Sequence, residues 1–170
     1  CLQTITGHQL LDALEWGARS AGTGEECGGF LQVSGITYKI DTEWPASVQM
    51  DDKGVWIGGP TGGYRVHDVQ VYNKETSAYE PLDLTASYNL AGYNYTLRDL
   101  GDGFNMFDGA VNVLDYVMED YMVLATYITA FEGGVVDATN SPLATKFPGM
   151  LLDYSTVNGS GRIVMEAAAR

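Results

Sequence analysis

Apolar side chains recur at two different periods along this chain, and the switch between them limits the folds open to it. In residues 8–20, Leu10, Leu11, Leu14 and Ala18 fall at helical spacing, which predicts an amphipathic helix closed by Gly22 and Gly24. Ahead of it, residues 2–5 read as a short strand and Thr6-Gly7 as a turn. From residue 28 onward the period drops to two. "GGFLQVSGITYKID" (28–41) sets Phe30, Val33, Ile36, Tyr38 and Ile40 among polar residues, so it reads as one long strand or two short ones, with a bulge at Gly35. "YRVHDVQVY" (64–72) reads as a strictly alternating strand, and "ASYNLAGYNYTL" (86–97) as another. Helical spacing returns once, in Leu114–Phe131, as one or two helices with Leu124, Tyr127, Ile128 and Phe131 on a buried face.

The remaining segments are connections. Residues 43–63 are loop-rich, and "NKETSAYEPLDL" reads as a polar hairpin turn with a short return. Residues 132–160, rich in Gly, Pro, Ser and Asn, are expected to wrap the surface, and "GRIVME" (161–166) to close a sheet. With no fixed-period repeat and no linker, the 170 residues read as one α+β domain, a mixed β-sheet with a few packed helices. The 21 glycines and 11 tyrosines suit turns and half-buried strands rather than a helical bundle.

Charge narrows the partners. Nine Lys and Arg against 22 Asp and Glu leave 9 − 22 = −13, the opposite of the basic footprint that phosphate backbones and acidic membranes require. No nucleic-acid partner is expected. No stretch approaches the ~20 apolar residues that cross a bilayer, so no membrane insertion is expected in this segment. Cys1 and Cys27 are the only cysteines, there is no CxxC, and the two histidines stand apart, so no zinc cluster is expected. The chain opens on Cys1 inside a strand-like stretch, and is read as a piece of a longer protein.

Few residues offer catalytic chemistry. His8 lies in the first turn of the predicted helix and is expected to be exposed and idle. His67 sits mid-strand beside Asp68, and neighbours on a regular strand point to opposite faces, so the two are not expected to pair. Cys27 has no histidine placed to activate it. "GGPTGG" lacks the Lys and Ser or Thr of a phosphate loop. "DLGDGFNMFD" has Gly101 where a calcium loop needs its third-position ligand, and lacks the closing Glu. What remains is "NYTLRDLGDGF" (94–104): a strand ending in Tyr95, then Asp102 between Gly101 and Gly103, then Phe104. A flat ring could stack on such a rim while the carboxylate accepts ring N–H groups. Spacing alone leaves that open beside the simpler reading, a tight turn whose aromatics pack in the core.

"TGHQLLDALEWGA" (6–18), "GGFLQVSGITYKID" (28–41), "NYTLRDLGDGF" (94–104) and the closing "GRI" together resemble the C-terminal domain of the 5′-nucleotidase family. The resemblance implies a substrate-specificity domain spanning residues 1–170 and truncated at its N-terminal end. In that family an N-terminal metallophosphatase domain holds two divalent metal ions and hydrolyses the ester, while the C-terminal domain clamps the base between two aromatic rings. By position, Tyr95 is implied as one stacking ring and Asp102 as a polar substrate contact. Asn94 and Gly103 are implied as pocket wall, with Phe104 packed beneath. This sequence departs from the family at Leu100, which stands where a first glycine is usual, and the stretch from Asn94 to Asp102 is one residue longer than in animal relatives.

The family's second ring lies upstream of the segment matching "CLQTITG". Losing it costs roughly 1–3 kcal/mol of stacking, about ten- to hundredfold in affinity, so nucleotide or nucleoside binding by this chain is expected to be weak or undetectable. The resemblance further implies that this chain alone holds no catalytic residue, metal or cofactor. Its partner is the N-terminal metallophosphatase domain of the same protein, and the parent is an extracellular, cell-surface or periplasmic hydrolase. The rival reading is a non-catalytic cell-surface module, for example one that binds glycans through its tyrosines.

Overall fold

The computed structural model describes residues 1–136, 141–152, 154–155, 159 and 161–167. It is an α+β fold built on two sheets. The first is a three-stranded antiparallel sheet of β1 (Leu2–Thr6), β7 (Ser87–Ala91) and β8 (Val111–Leu114), in the order β7-β1-β8. The second has the order β6-β5-β2-β9, from β2 (Ile36–Asp41), β5 (Val66–Asn73), β6 (Ala78–Pro81) and β9 (Ile163–Glu166). Only the β2–β9 pair in it is parallel. A small hairpin, β3 (Gln49–Met50) and β4 (Trp56–Gly58), rises from the loop-rich part of the chain.

Helix α1 (Gly7–Gly17) lies against β1 and β5. Thr6 opens it with a capping box: its hydroxyl accepts from the Gln9 amide at 3.1 Å, and the Gln9 side chain accepts from the Thr6 amide at 2.9 Å. Gly7 is required by close approach, because a Cβ there would stand 2.1 Å from the Asp83 carbonyl oxygen. The helix is not amphipathic in the expected sense. Asp12, Glu15 and Trp16 are buried together with Leu10, Ala13 and Leu14. The polar pair is tolerated because it is bonded. Glu15 accepts from the amides of Arg65 and Val66, and Asp12 accepts from the Tyr64 hydroxyl at 2.7 Å. Burial raises the pKa of Glu15, and the two amides and the Arg65 charge oppose that rise. The Arg65 guanidinium donates to the carbonyls of Ala18, Arg19, Ala21, Asp41 and Thr42, tying the end of α1 to β2.

Three predicted strands change shape. In 28–41 only Ile36–Asp41 enters a ladder, because Gly35 turns the backbone at φ +73°. Strand 86–97 ends at Ala91, and Asn94–Leu97 forms one helical turn, α2, that carries Leu97 into the core. The alternation of 64–72 is not strict: Val66 and Val71 are five residues apart, yet they pair with Ile40 and Ile36, which share the core face. A bulge resolves the mismatch, with Asp68 and Val69 opposite Tyr38 and Asp68 at φ +50°. It also overturns the expectation for His67, whose Nδ1 lies 3.5 Å from an Asp68 carboxylate oxygen. Lys39 and Glu166 complete that surface cluster.

In 114–131, Leu114 closes the unanticipated strand β8, and a single helix, α3 (Asp120–Thr129), follows. Phe131 is buried and Tyr127 and Ile128 partly so, but Leu124 is exposed, so the expected four-residue buried face is not formed. Of the expected surface wrap, 141–152 covers the outer face of β5, where the Tyr72 hydroxyl donates to the Pro148 carbonyl and the Tyr72 and Phe147 rings meet edge to face. The rest of 132–160 lies partly outside the described residues.

Candidate functional site

The stretch 94–104 crosses the rim between β7 and the core. Gly92 releases the strand, and α2 sets Tyr95 on its outer side with the side chain 54% exposed. Tyr95 is therefore on a helical turn rather than at a strand end. A tight turn follows, in which Leu100 (φ +56°), Asp102 (φ +53°) and Gly103 (φ +76°) all adopt left-handed backbone. Non-glycine residues avoid that region because Cβ crowds the following carbonyl, so two of the three positions carry strain.

The turn brings Tyr95 and Asp102 together. The phenol end of the Tyr95 ring lies directly on Gly101, where a Cβ would stand 2.3 Å from Cζ, and the hydroxyl donates to Asp102 Oδ1 at 3.0 Å. The other Asp102 oxygen has no partner among the described residues, which leaves an acceptor beside an open aromatic ring. Asn94 is engaged locally, donating to Asp99 at 3.2 Å. Gly103 faces inward, since a Cβ on it would meet the Gly54 carbonyl oxygen at 2.8 Å and the Trp16 ring at 3.0 Å. Gly103 thus packs toward the core, while Asn94 stays exposed. Phe104 is buried and stacks on Phe107, with centroids 6.1 Å apart and planes 9° from parallel.

Beside this rim opens a groove of about 780 Å³, lined by Phe30, Leu31, Tyr88, Tyr93, Asp102 and Phe104 among others. Asp102 borders it, while Tyr95 stands outside. The arginine of the stretch, Arg98, makes a bidentate pair with Asp99 at 2.7 and 3.0 Å and approaches Asp115 at 3.7 Å. Those bonds hold the Asp99 carboxyl below the usual carboxylate range. The rim therefore offers a ring and a carboxylate acceptor, with its neighbouring cation already neutralised. His8 is exposed, as expected, with its Nδ1 3.2 Å from an Asp12 carboxylate oxygen. His8 and His67 thus sit in separate clusters, and no group of three or more metal-ligating side chains occurs among the described residues.

Trp16, buried beneath the rim, is the residue that sequence reasoning missed. It lies off the Leu10–Leu14–Ala18 stripe, so helical spacing gave no signal for it. Its Nε1 donates to the main-chain carbonyl of Asp102 at 2.9 Å.

Residues 1–109 match the family model described as 5′-nucleotidase, C-terminal domain, a span that includes the whole of α1 and the Tyr95–Phe104 turn. The chain belongs to that family. It is similar to the crystal structure of a 5′-nucleotidase precursor from Thermus thermophilus, with 26% identity and a TM-score of 0.62. The match covers 99% of this chain and 25% of that one, so this chain spans about a quarter of the similar protein's length. No curated protein matches it.

Proposed function

We propose that this chain is the nucleotide-recognition domain of an exported 5′-nucleotidase-type phosphoesterase, and that hydrolysis belongs to a metallophosphatase domain outside these residues. The observation that carries the reading is the Tyr95–Asp102 pair: an exposed ring on Gly101, joined through its hydroxyl to a carboxylate with a free oxygen. A base stacks on the ring, and the carboxylate accepts from the nucleoside's donors. The phosphate is not held here, because Arg98 is already paired with Asp99 and the surrounding charge is negative. The other domain would hold it through two divalent metal ions. A two-metal centre needs a convergent Asp, His and Asn donor set, and no group of three or more His, Cys, Asp or Glu placed to hold a metal occurs among the described residues. A parent that acts on extracellular or periplasmic nucleotides fits the same reading.

The test is an NMR titration of the chain with AMP. Weak, saturable shifts are expected at Tyr95, Gly101 and Asp102, and Tyr95→Ala is expected to abolish them. Saturable shifts confined to other surfaces, or shifts that persist in Tyr95→Ala, count against the reading. Phosphatase activity of this chain with added divalent metal would refute the division of labour. The coding sequence upstream of Cys1 gives an independent check, since Asp-x-His and Gly-Asn-His-Asp motifs are expected there.

A further inference from the structure

Asp102 is held from two opposite ends. Outside, its carboxylate accepts from Tyr95, which is half exposed. Inside, its main-chain carbonyl points into the core and accepts from Trp16 Nε1 at 2.9 Å. Trp16 is fully buried, and its ring is fixed on two sides. Gly103 lies on the ring edge, with an added Cβ only 3.0 Å from Cζ2. The Arg19 guanidinium sits 4.1 Å from the ring centroid, itself donating to the Trp16 carbonyl at 2.8 Å. The turn between these two anchors adopts left-handed backbone at Leu100, Asp102 and Gly103, and persists only if the surroundings over-determine it. Without the indole, the Asp102 carbonyl becomes a part-buried acceptor lacking its donor.

We propose that Trp16 is the positioning residue for Asp102: its indole N–H locks the left-handed turn so that the carboxylate meets Tyr95 and faces the ligand. The functional half of this proposal rests on Tyr95 and Asp102 being the nucleoside contacts. Trp16 touches no ligand and acts through the turn alone.

The experiment is amide and indole NMR on the 170-residue chain and on Trp16→Phe, which keeps an aromatic ring and removes the donor. In the wild type, the Trp16 indole N–H is expected to exchange with solvent more slowly than that of Trp44, whose bond to the Gly63 carbonyl lies at the surface. In Trp16→Phe, the amide signals of 100–104 are expected to shift or broaden while those of β5 and β6 stay in place. The variant should still melt cooperatively, and its AMP affinity should fall roughly two- to tenfold, the worth of one buried hydrogen bond. Unchanged 100–104 signals overturn the proposal. So do changes spread over the whole core with AMP affinity intact, which mark a purely structural role. If Trp16→Phe does not fold, the wild-type indole decides: exchange as fast as Trp44 overturns the proposal. A wild type whose AMP shifts fall on surfaces away from Tyr95 and Asp102 defeats the nucleoside reading instead, and leaves the anchoring to the exchange and amide measurements.

Discussion

The two long helices of this domain invert the usual relation between composition and burial. Helix α1, GHQLLDALEWG, carries Asp12 and Glu15, yet eight of its eleven residues are buried. Helix α3, DYMVLATYIT, is the more apolar sequence, yet none of its residues is buried, and Tyr121, Val123 and Leu124 are at least half exposed. Neighbouring β8 is exposed along its whole length. Partners account for the difference. The carboxylates of α1 find amides and a phenol from the Tyr64–Val66 segment, whereas α3 holds to the rest of the structure near its end, where Tyr127, Phe131 and Tyr154 meet edge to face. Burial follows what is available opposite a side chain, not the side chain alone.

The sharpest way to break the contrast is to remove the α1 partner. Arg65→Ala leaves Glu15 without a nearby positive charge and takes the guanidinium donors away from five carbonyls. It is expected to cost about 3–5 kcal/mol in urea unfolding. Next comes the pH profile of Glu15. Its folded pKa is raised by burial above the usual 4.5, so the folded state holds the proton longer than the unfolded one. Its contribution is fully present below pH 4.5 and is lost as pH rises through the folded pKa. Glu15→Gln should flatten that decline in a stability–pH series. Asp83 and Asp99 act oppositely: hydrogen bonds from Thr85 and Arg98 lower their pKa below 3.8, so their contribution disappears only in more acid solution.

A smaller effect on stability is expected from Gly101→Ala, about 1 kcal/mol or less. It should nonetheless push the Tyr95 ring off the turn and erase the AMP shifts at Asp102. Smallest of all, Leu124→Lys on α3 should change stability by no more than about 0.5 kcal/mol, while reducing the fluorescence of a dye that binds exposed apolar surface. A large loss there would show α3 to be packed in solution.

Legibility from sequence divides along the same line. The Thr6 cap was read only as a turn, whereas the strands β2 and β9 and the body of helix α1 were readable because hydrophobic period is a local signal. So was the proximity of Tyr95 and Asp102, through the resemblance of 94–104 to the 5′-nucleotidase C-terminal domain. The helical turn at Asn94–Leu97 was not, because Tyr95 and Leu97 satisfy strand alternation equally well and only the need to bury Leu97 selects the turn. Strand β8 was hidden by "VNVL", too short and too exposed to show a period. Trp16 was invisible as an anchor because its acceptor is a carbonyl 86 residues away, and main-chain acceptors leave no mark in a sequence.

The bulge in β5 has a consequence for insertions and deletions. Read without Asp68, the strand becomes Val66, His67, Val69, Gln70, Val71, a perfect alternation whose three valines face Ile40, Tyr38 and Ile36 in an unbroken ladder. Asp68 is thus a single supernumerary residue. Deleting it should leave every core partner in register and remove a left-handed non-glycine backbone. What the deletion takes away is the carboxylate that reaches Lys39 and His67. The ladder has no need of Asp68, so any requirement for the residue lies in that surface cluster.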